Sequence, residues 1–261
     1  MERLIVVTLA LLVSACTTYQ PPKVKDNAAY YYNQGVARYE KGDYAKAIND
    51  YTKAIEWNPR YAEAYYNRGI AYDDKGQYDR AIKDYTEAIE INPRYSDAYV
   101  NRGIAYGRKG EYDQAVLDFN EAIGIDPNGA NAYYNRGLAY NKKGHYSRAI
   151  SDYTKAIEIK SGYSSAYNSL AWILATCVDG RYRDGREAIK LSKQALKSNS
   201  NPIYMDTLAA AYAEAGKFED AVQTQKEVLT LLREKGDAYN LMGEASRRLE
   251  FYRAGKAWRE K

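Results

Sequence analysis

The strongest constraint in this chain is a repeat with a period of 34 residues. Gly35, Gly69, Gly103 and Gly137 fall on it, and Ala171 continues the series. Gly42, Gly76, Gly110 and Gly144 keep the same interval, as do Ala47, Ala81, Ala115 and Ala149, and Ala54, Ala88, Ala122 and Ala156. Self-similarity at such a period, with two helical patterns per unit, marks a helical solenoid. No unit of a solenoid buries its apolar face alone, so neighbours must stack. The 29 tyrosines, against 3 phenylalanines, come from the same source, because each unit repeats a tyrosine-bearing pattern. They read as core and inter-unit packing with the hydroxyl at the edge, not as a cofactor box.

The unit at 62–95 shows the physics. Tyr65, Gly69 and Tyr72 form one stripe of its first helix, and Tyr78, Ala81, Ile82, Tyr85, Ala88 and Ile89 the inward stripe of its second. Gly69 has no side chain, so the second helix can come close there, with Ala81 expected to nest against it. Gly76 is placed to stop the first helix at positive φ. Asn92-Pro93 is placed to end the second. The run AYYNRGIAYDDKGQYDRAIKDYTEAIEINPRY, Ala64 to Tyr95, resembles the tetratricopeptide repeat family, and the resemblance extends from Ala28 to about Arg233. It implies an all-α, right-handed superhelical solenoid of about six helix-turn-helix repeats at 28–61, 62–95, 96–129, 130–163, 164–201 and 202–235. The fifth repeat carries an insertion across Ala175–Gly185. A capping helix and tail occupy 236–261, with the helix expected over Asp237–Leu249. The last units, ending in RLEFYRAGKAWRE, resemble a recurrent terminal module of bacterial repeat proteins to which no activity attaches.

The chain begins MERLIVVTLALLVSAC. Leu4–Val13 is apolar apart from Thr8, and as a helix would reach ~15 Å, half the hydrocarbon thickness, which suits a signal-peptide core and not a spanning helix. Val13-Ser14-Ala15-Cys16 resembles the bacterial lipobox. The resemblance implies a signal peptide at 1–15, acylation of Cys16 (diacylglycerol, with palmitate-type chains), and a lipidated, polar tether at 16–27 that includes Pro21-Pro22. Thr17, where an aspartate would favour the inner membrane, implies an outer-membrane anchor facing the periplasm.

Thirty-eight Lys and Arg against 34 Asp and Glu give a net charge of +4, too mild a surplus to argue for a nucleic-acid partner. One His and two Cys argue against a zinc, haem or iron–sulfur site, so no metal or cofactor is expected. His145 falls in an inter-helix turn. Cys177, in the insertion near Asp179 and several arginines, reads either as a thiol of lowered pKa or, by preference, as a small buried hydrophobe. With no glycine-rich phosphate loop and no metal-binding helix, the chain is not expected to be an enzyme.

Binding is better supplied. The resemblance implies that first helices line a concave groove, and the stripe opposite the packing one holds Glu63, Tyr66, Asn67, Ile70, Asp73 and Asp74. Across units this face repeats Tyr32, Tyr66, Val100 and Tyr134 at one level, with Asn33, Asn67, Asn101 and Asn135 beside it. A row of amides offers donors and acceptors at regular rise to an extended peptide backbone. It resembles the asparagine ladder of some glycosyltransferase repeat domains. Equally, it suits a common Asn-Arg-Gly variant that binds nothing in particular. The rim passes from Glu40, Asp73 and Asp74 to Arg108, Asn141, Lys142 and Lys143, a polarity able to orient a charged peptide. Arg186, Lys190, Lys193 and Lys197 make a basic helix face, read first as solvated and second as a contact for anionic lipid headgroups.

The expected function is a membrane-tethered protein–protein interaction scaffold that holds peptide segments of bacterial envelope proteins in its groove. The alternative is an assembly or pilot lipoprotein, of pilus-secretin or peptidoglycan-machinery type, acting through its convex face or by self-association.

Overall fold

The computed structural model describes residues 24–197, 201–237 and 240–260, so the signal segment and Cys16 lie outside the described residues. The described residues form thirteen α-helices, one short 3-10 turn and no strand. The chain divides into two compact units, Met1–Asn92 and Pro93–Lys261. The first holds α1 (Val24–Glu40), α2 (Tyr44–Trp57), α3 (Ala62–Asp74) and α4 (Tyr78–Ile91). The second holds α5 (Ser96–Arg108), α6 (Tyr112–Ile125), α7 (Ala130–Lys142), α8 (Tyr146–Ile159), α9 (Ser164–Thr176), α10 (Gly185–Leu196), α11 (Pro202–Glu214), α12 (Phe218–Lys235) and α13 (Met242–Arg253). Within each unit, consecutive helices pack as the hairpin pairs of a tetratricopeptide solenoid.

Turn chemistry sets the pairs. Gly76 has φ 71°, and its N–H donates to the Asp73 carbonyl at 2.8 Å while Gln77 reaches back to Tyr72 at 2.9 Å, closing the first helix. Second helices end on extended residues: Asn58 (φ −136°), Asn92 (−128°) and Asp126 (−127°), each before a proline. Lys160 takes the same φ of −128° before Ser161, with its N–H on the Ala156 carbonyl at 2.9 Å. The cap hydrogen bond, and not the proline alone, therefore fixes this corner.

The space left by Gly69 is filled by an aromatic ring, not by Ala81 as expected. A Cβ built on Gly69 would lie 2.7 Å from Tyr85 Cε1, and Gly35, Gly103 and Gly137 stand likewise against Tyr51, Phe119 and Tyr153. Alanines carry the fully buried positions beside them. Ala64 and Ala71 in α3 and Ala81 and Ala88 in α4 have no exposed surface, whereas Tyr65 and Tyr72 are half-buried.

Each of the first four repeats also buries a carboxylate on its second helix, Asp50, Asp84, Asp118 and Asp152. Arg68 clasps both oxygens of Asp84 at 2.7 and 2.8 Å and reaches the Thr52 hydroxyl at 2.9 Å, tying α3 to α4 and to the preceding α2. In the second unit Arg102 clasps Asp118, and Arg136 clasps Asp152 while touching Asn120. Arg38 pairs with Asp50 at 2.7 Å from one turn later, because Gln34 holds the usual arginine position.

Two terminal features depart from the repeat. The insertion folds into a 3-10 turn, Gly180–Tyr182, after which Asp184 caps α10 by accepting from the Arg186 and Glu187 N–H groups at 3.0 Å. The final helix is Met242–Arg253 and not Asp237–Leu249, because the Asp237 carboxylate sits outside it and accepts from the N–H groups of Leu241 (2.7 Å) and Met242 (3.0 Å). Beyond α13 the tail returns to α9: the Glu260 N–H donates to the Thr176 carbonyl at 3.1 Å, and the Trp172 indole N–H donates to the Glu260 carboxylate.

Candidate functional site

A pocket of about 250 Å³ opens between α5 and α7 and is floored by α6. Its walls are apolar: Ile104, Tyr112, Ala115, Phe119, Leu138 and Ala139, with Asn135, Arg108 and Lys142 also on the lining. Arg108 and Lys142 are exposed, so the opening is basic while the interior is greasy. Two side chains of its lining are smaller than their counterparts in other repeats, which makes the corner apolar rather than creating it, since the corner one period on keeps Asn141 and Tyr153 and is hollow too. Phe119 stands where Tyr51, Tyr85 and Tyr153 carry a hydroxyl, and Gly107 stands where Tyr39, Asp73 and Asn141 carry side chains. Both line the cavity. Gly107 is helical, and a Cβ there would meet nothing within 4 Å.

The equivalent place in the first unit is occupied. Tyr39, the counterpart of Gly107, donates its hydroxyl to the Asp74 carboxylate and packs against Tyr44. Burial, followed by the Asp74 hydrogen bond, pushes the Tyr39 phenol well above its usual range. Asp74 is thereby engaged within its own unit, and Asp73 beside it is half-buried.

The asparagine row is not uniform. Asn33 is exposed. Asn67 spends its amide N–H on the Tyr32 hydroxyl at 2.7 Å, and Asn135 donates back to the Asn131 carbonyl of its own helix at 2.8 Å. Asn101 is half-buried. The tyrosine level is packing surface: Tyr32 lies against Tyr51 and Tyr61, Tyr66 against Tyr85, and Tyr134 between Tyr153 and Tyr163 with centroids 5.8 and 4.9 Å away. In the second unit the structure thus brings Arg108, Asn135 and Lys142 together at one pocket. Asn141 lines another on the far side of Leu138.

Cys177 is only 3% exposed, and burial pushes its thiol up, away from thiolate chemistry. Arg183 covers it, donating to the Cys177 carbonyl at 2.8 Å and pairing with Glu214 at 3.0 Å. On α10 the basic stripe is exposed, with Lys190 paired to Glu187 and Lys193 over the Tyr212 ring. Among the described residues no helix is long and apolar enough to cross a membrane.

Profiles described as tetratricopeptide repeat match residues 62–95 and 130–163, 84–116, and 204–235, and one described as TPR repeat matches 35–74 and 108–144. Among solved structures, MamA is 25% identical with a TM-score of 0.50, covering 77% of this chain and 95% of its own. PilF of Pseudomonas aeruginosa is 15% identical with a TM-score of 0.71, covering 86% and 98%. PilW, described as a widely conserved type IV pilus biogenesis factor, is 16% identical with a TM-score of 0.70, covering 83% and 97%. The last two show likeness of fold. No curated protein matches the chain.

Proposed function

This chain belongs to the tetratricopeptide repeat family, and on that premise we propose that it is a non-catalytic, membrane-tethered scaffold that captures segments of other envelope proteins on its first helices. The observation that carries this reading is the α5–α7 pocket, an apolar cavity with Arg108 and Lys142 at its mouth. An extended segment fits it when an apolar side chain enters and a neighbouring carboxylate meets the basic rim. Burial of that side chain contributes ~1.5–3 kcal/mol, and the rim charges favour the correct orientation. Asn135 supplies its amide oxygen and one N–H to the segment's backbone, its other N–H being used within α7. Asn101 stands on the neighbouring first helix of the same unit, and Asn33 and Asn67 on the first helices of the other unit.

Tethering rests on Met1–Cys16. The short apolar run and the small residues before Cys16 support acylation there, and Thr17 supports the outer membrane. A single acyl chain holds a protein only marginally, whereas the two or three chains implied by a lipobox make a stable anchor. In cells, Cys16→Ala is expected to move the protein from the membrane to the soluble periplasmic fraction; unchanged membrane recovery means another anchor.

Crosslinking in intact cells tests the pocket. Gly107→Phe fills the cavity from an open helical position and is expected to remove captured partners while the melting curve stays in place. Capture unaffected by that change favours the second reading, assembly through the outer face or by self-association. The fold shared with PilF and PilW supports that reading at the level of architecture alone.

A further inference from the structure

Leu138 of α7 borders two pockets, the apolar one on its α5 side and a second, about 270 Å³, walled by α7, α9, α11 and α13. The second is the more polar of the two. Asn141, Asn168, Ser169, Thr207, Trp172 and Glu244 line it over a base formed by Asp206 and Arg248. One of its polar atoms, the Asn168 Oδ1, is buried without a hydrogen-bond partner, while the Tyr153 hydroxyl lies beside Ser169. The Tyr153 side chain is itself fully buried and reaches this pocket from α8.

The charges of the lining do not cancel. Arg248, 2% exposed, binds both oxygens of Asp206 at 3.0 and 2.9 Å, and Gln225 adds a third hydrogen bond at 2.8 Å, so that pair is internally compensated. Its remaining nitrogen reaches Glu244 at 3.0 Å, but the Glu244 side chain is 57% exposed and supplies the net negative charge at the mouth. The chamber therefore offers a carboxylate, an amide oxygen and a phenol as hydrogen-bond acceptors, while the Trp172 face is already covered by Arg248 and its N–H given to Glu260. The carboxylate and the amide oxygen suit a cation that donates hydrogen bonds.

We propose that this second pocket takes a basic side chain, lysine or arginine, from the same bound segment whose apolar residue enters the α5–α7 pocket. The inference rests on the peptide-capture reading and deepens it. Packed helices lie ~8–10 Å apart, so the two pockets are separated by about three residues of extended chain at ~3.3 Å each. The preferred segment is bipartite: an apolar residue beside a carboxylate, then a basic residue about three positions away.

The second pocket is tested without any partner. The 15N-labelled chain is titrated with N-acetyl-lysine N-methylamide and with its neutral counterpart, N-acetyl-norleucine N-methylamide, reading the Asn168 side-chain amide and the Trp172 indole N–H. The lysine compound is expected to give saturable shifts at both signals, with at least five-fold weaker binding for the norleucine compound. Glu244→Gln should weaken the lysine compound at least five-fold, and Asn168→Ala, read at Trp172, should do the same if the first variant is poorly folded. Equal shifts from both compounds, or none from lysine, overturn the assignment. If crosslinked partners are lost in Gly107→Phe while the lysine compound leaves Asn168 unmoved, the inference falls and the capture reading stands. Lysine binding at Asn168 with capture indifferent to Gly107 upholds the pocket and overturns the reading beneath it.

Discussion

The ring of Tyr85 lies so close to Gly69 that a methyl group on the glycine would sit 2.7 Å from Cε1, inside van der Waals contact. Tyr85 is 1% exposed and has nowhere to retreat. Gly69→Ala is therefore expected to cost stability even though alanine is the better helix former by ~1 kcal/mol. Overpacking of ~1–3 kcal/mol offsets or outweighs that gain, for a net loss of up to about 2 kcal/mol. Gly107→Ala supplies the control. It meets open space, so it should be neutral or stabilising by up to ~1 kcal/mol, and thermal melts of the two variants should move in opposite directions.

Asp118 is 5% exposed and held by two nitrogens of Arg102 at 2.9 and 2.7 Å. Removing one member of such a pair strands the other. Asp118→Ala is expected to cost ~3 kcal/mol, less than a fully buried pair because Arg102 keeps some solvent. An exposed pair, Lys155 with Glu158, gives the contrast: Glu158→Ala should change stability by less than ~0.5 kcal/mol. Urea denaturation of both variants checks the difference.

Burial holds the phenols of Tyr51, Tyr153 and Tyr252 well above their usual range and pushes Tyr163 up to about 12. An unfolded tyrosine releases its proton near 10.0. Above that pH the native state holds more protons than the unfolded state, so stability falls as pH rises and is unaffected by these groups below it. A phenolate absorbance titration should show two phases, an early one from half-exposed tyrosines and a late one that coincides with loss of helix. A single phase with the helices intact would contradict the burial described for the late group.

With Cys16 replaced by Ser, Cys177 is the sole thiol of the chain. Because it is 3% exposed and its thiol is pushed up by burial, native protein should react with an aromatic disulfide at least ~100-fold more slowly than protein in urea, the ratio a local opening of ~3 kcal/mol imposes. Comparable rates in the two conditions would reopen the reactive-thiol reading.

Much of the architecture is legible in the amino-acid order because glycine and alanine have few reasons to recur at a fixed interval except geometry. Gly76 and its counterparts announce the turns, and Gly69 announces a close approach, though the ring of Tyr85 that fills it is harder to anticipate than a small residue. The Arg68–Asp84 clasp escapes a reading by polarity, since charged side chains are assigned to solvent by default. Its signal was present: Arg68, Arg102 and Arg136 recur with the same period as Asp84, Asp118 and Asp152. The α5–α7 pocket is less visible still. Its lining, Ile104, Phe119 and Leu138, reads as packing surface, and a row of asparagines draws the eye away from it. Arg248 and Asp206, 42 positions apart and outside the period, carry no local sign of their pairing.

The α5–α7 cavity and the chamber beyond Leu138 are the same corner of the repeat with different linings, so the corner is portable. Cutting Tyr39 back to glycine and Tyr51 to phenylalanine would hollow the matching corner of the first hairpin, where Asp74 in place of a cation reverses the sign at the entrance. Two substitutions in an existing module, with no insertion and no new backbone, would thus retarget it toward a ligand of opposite charge.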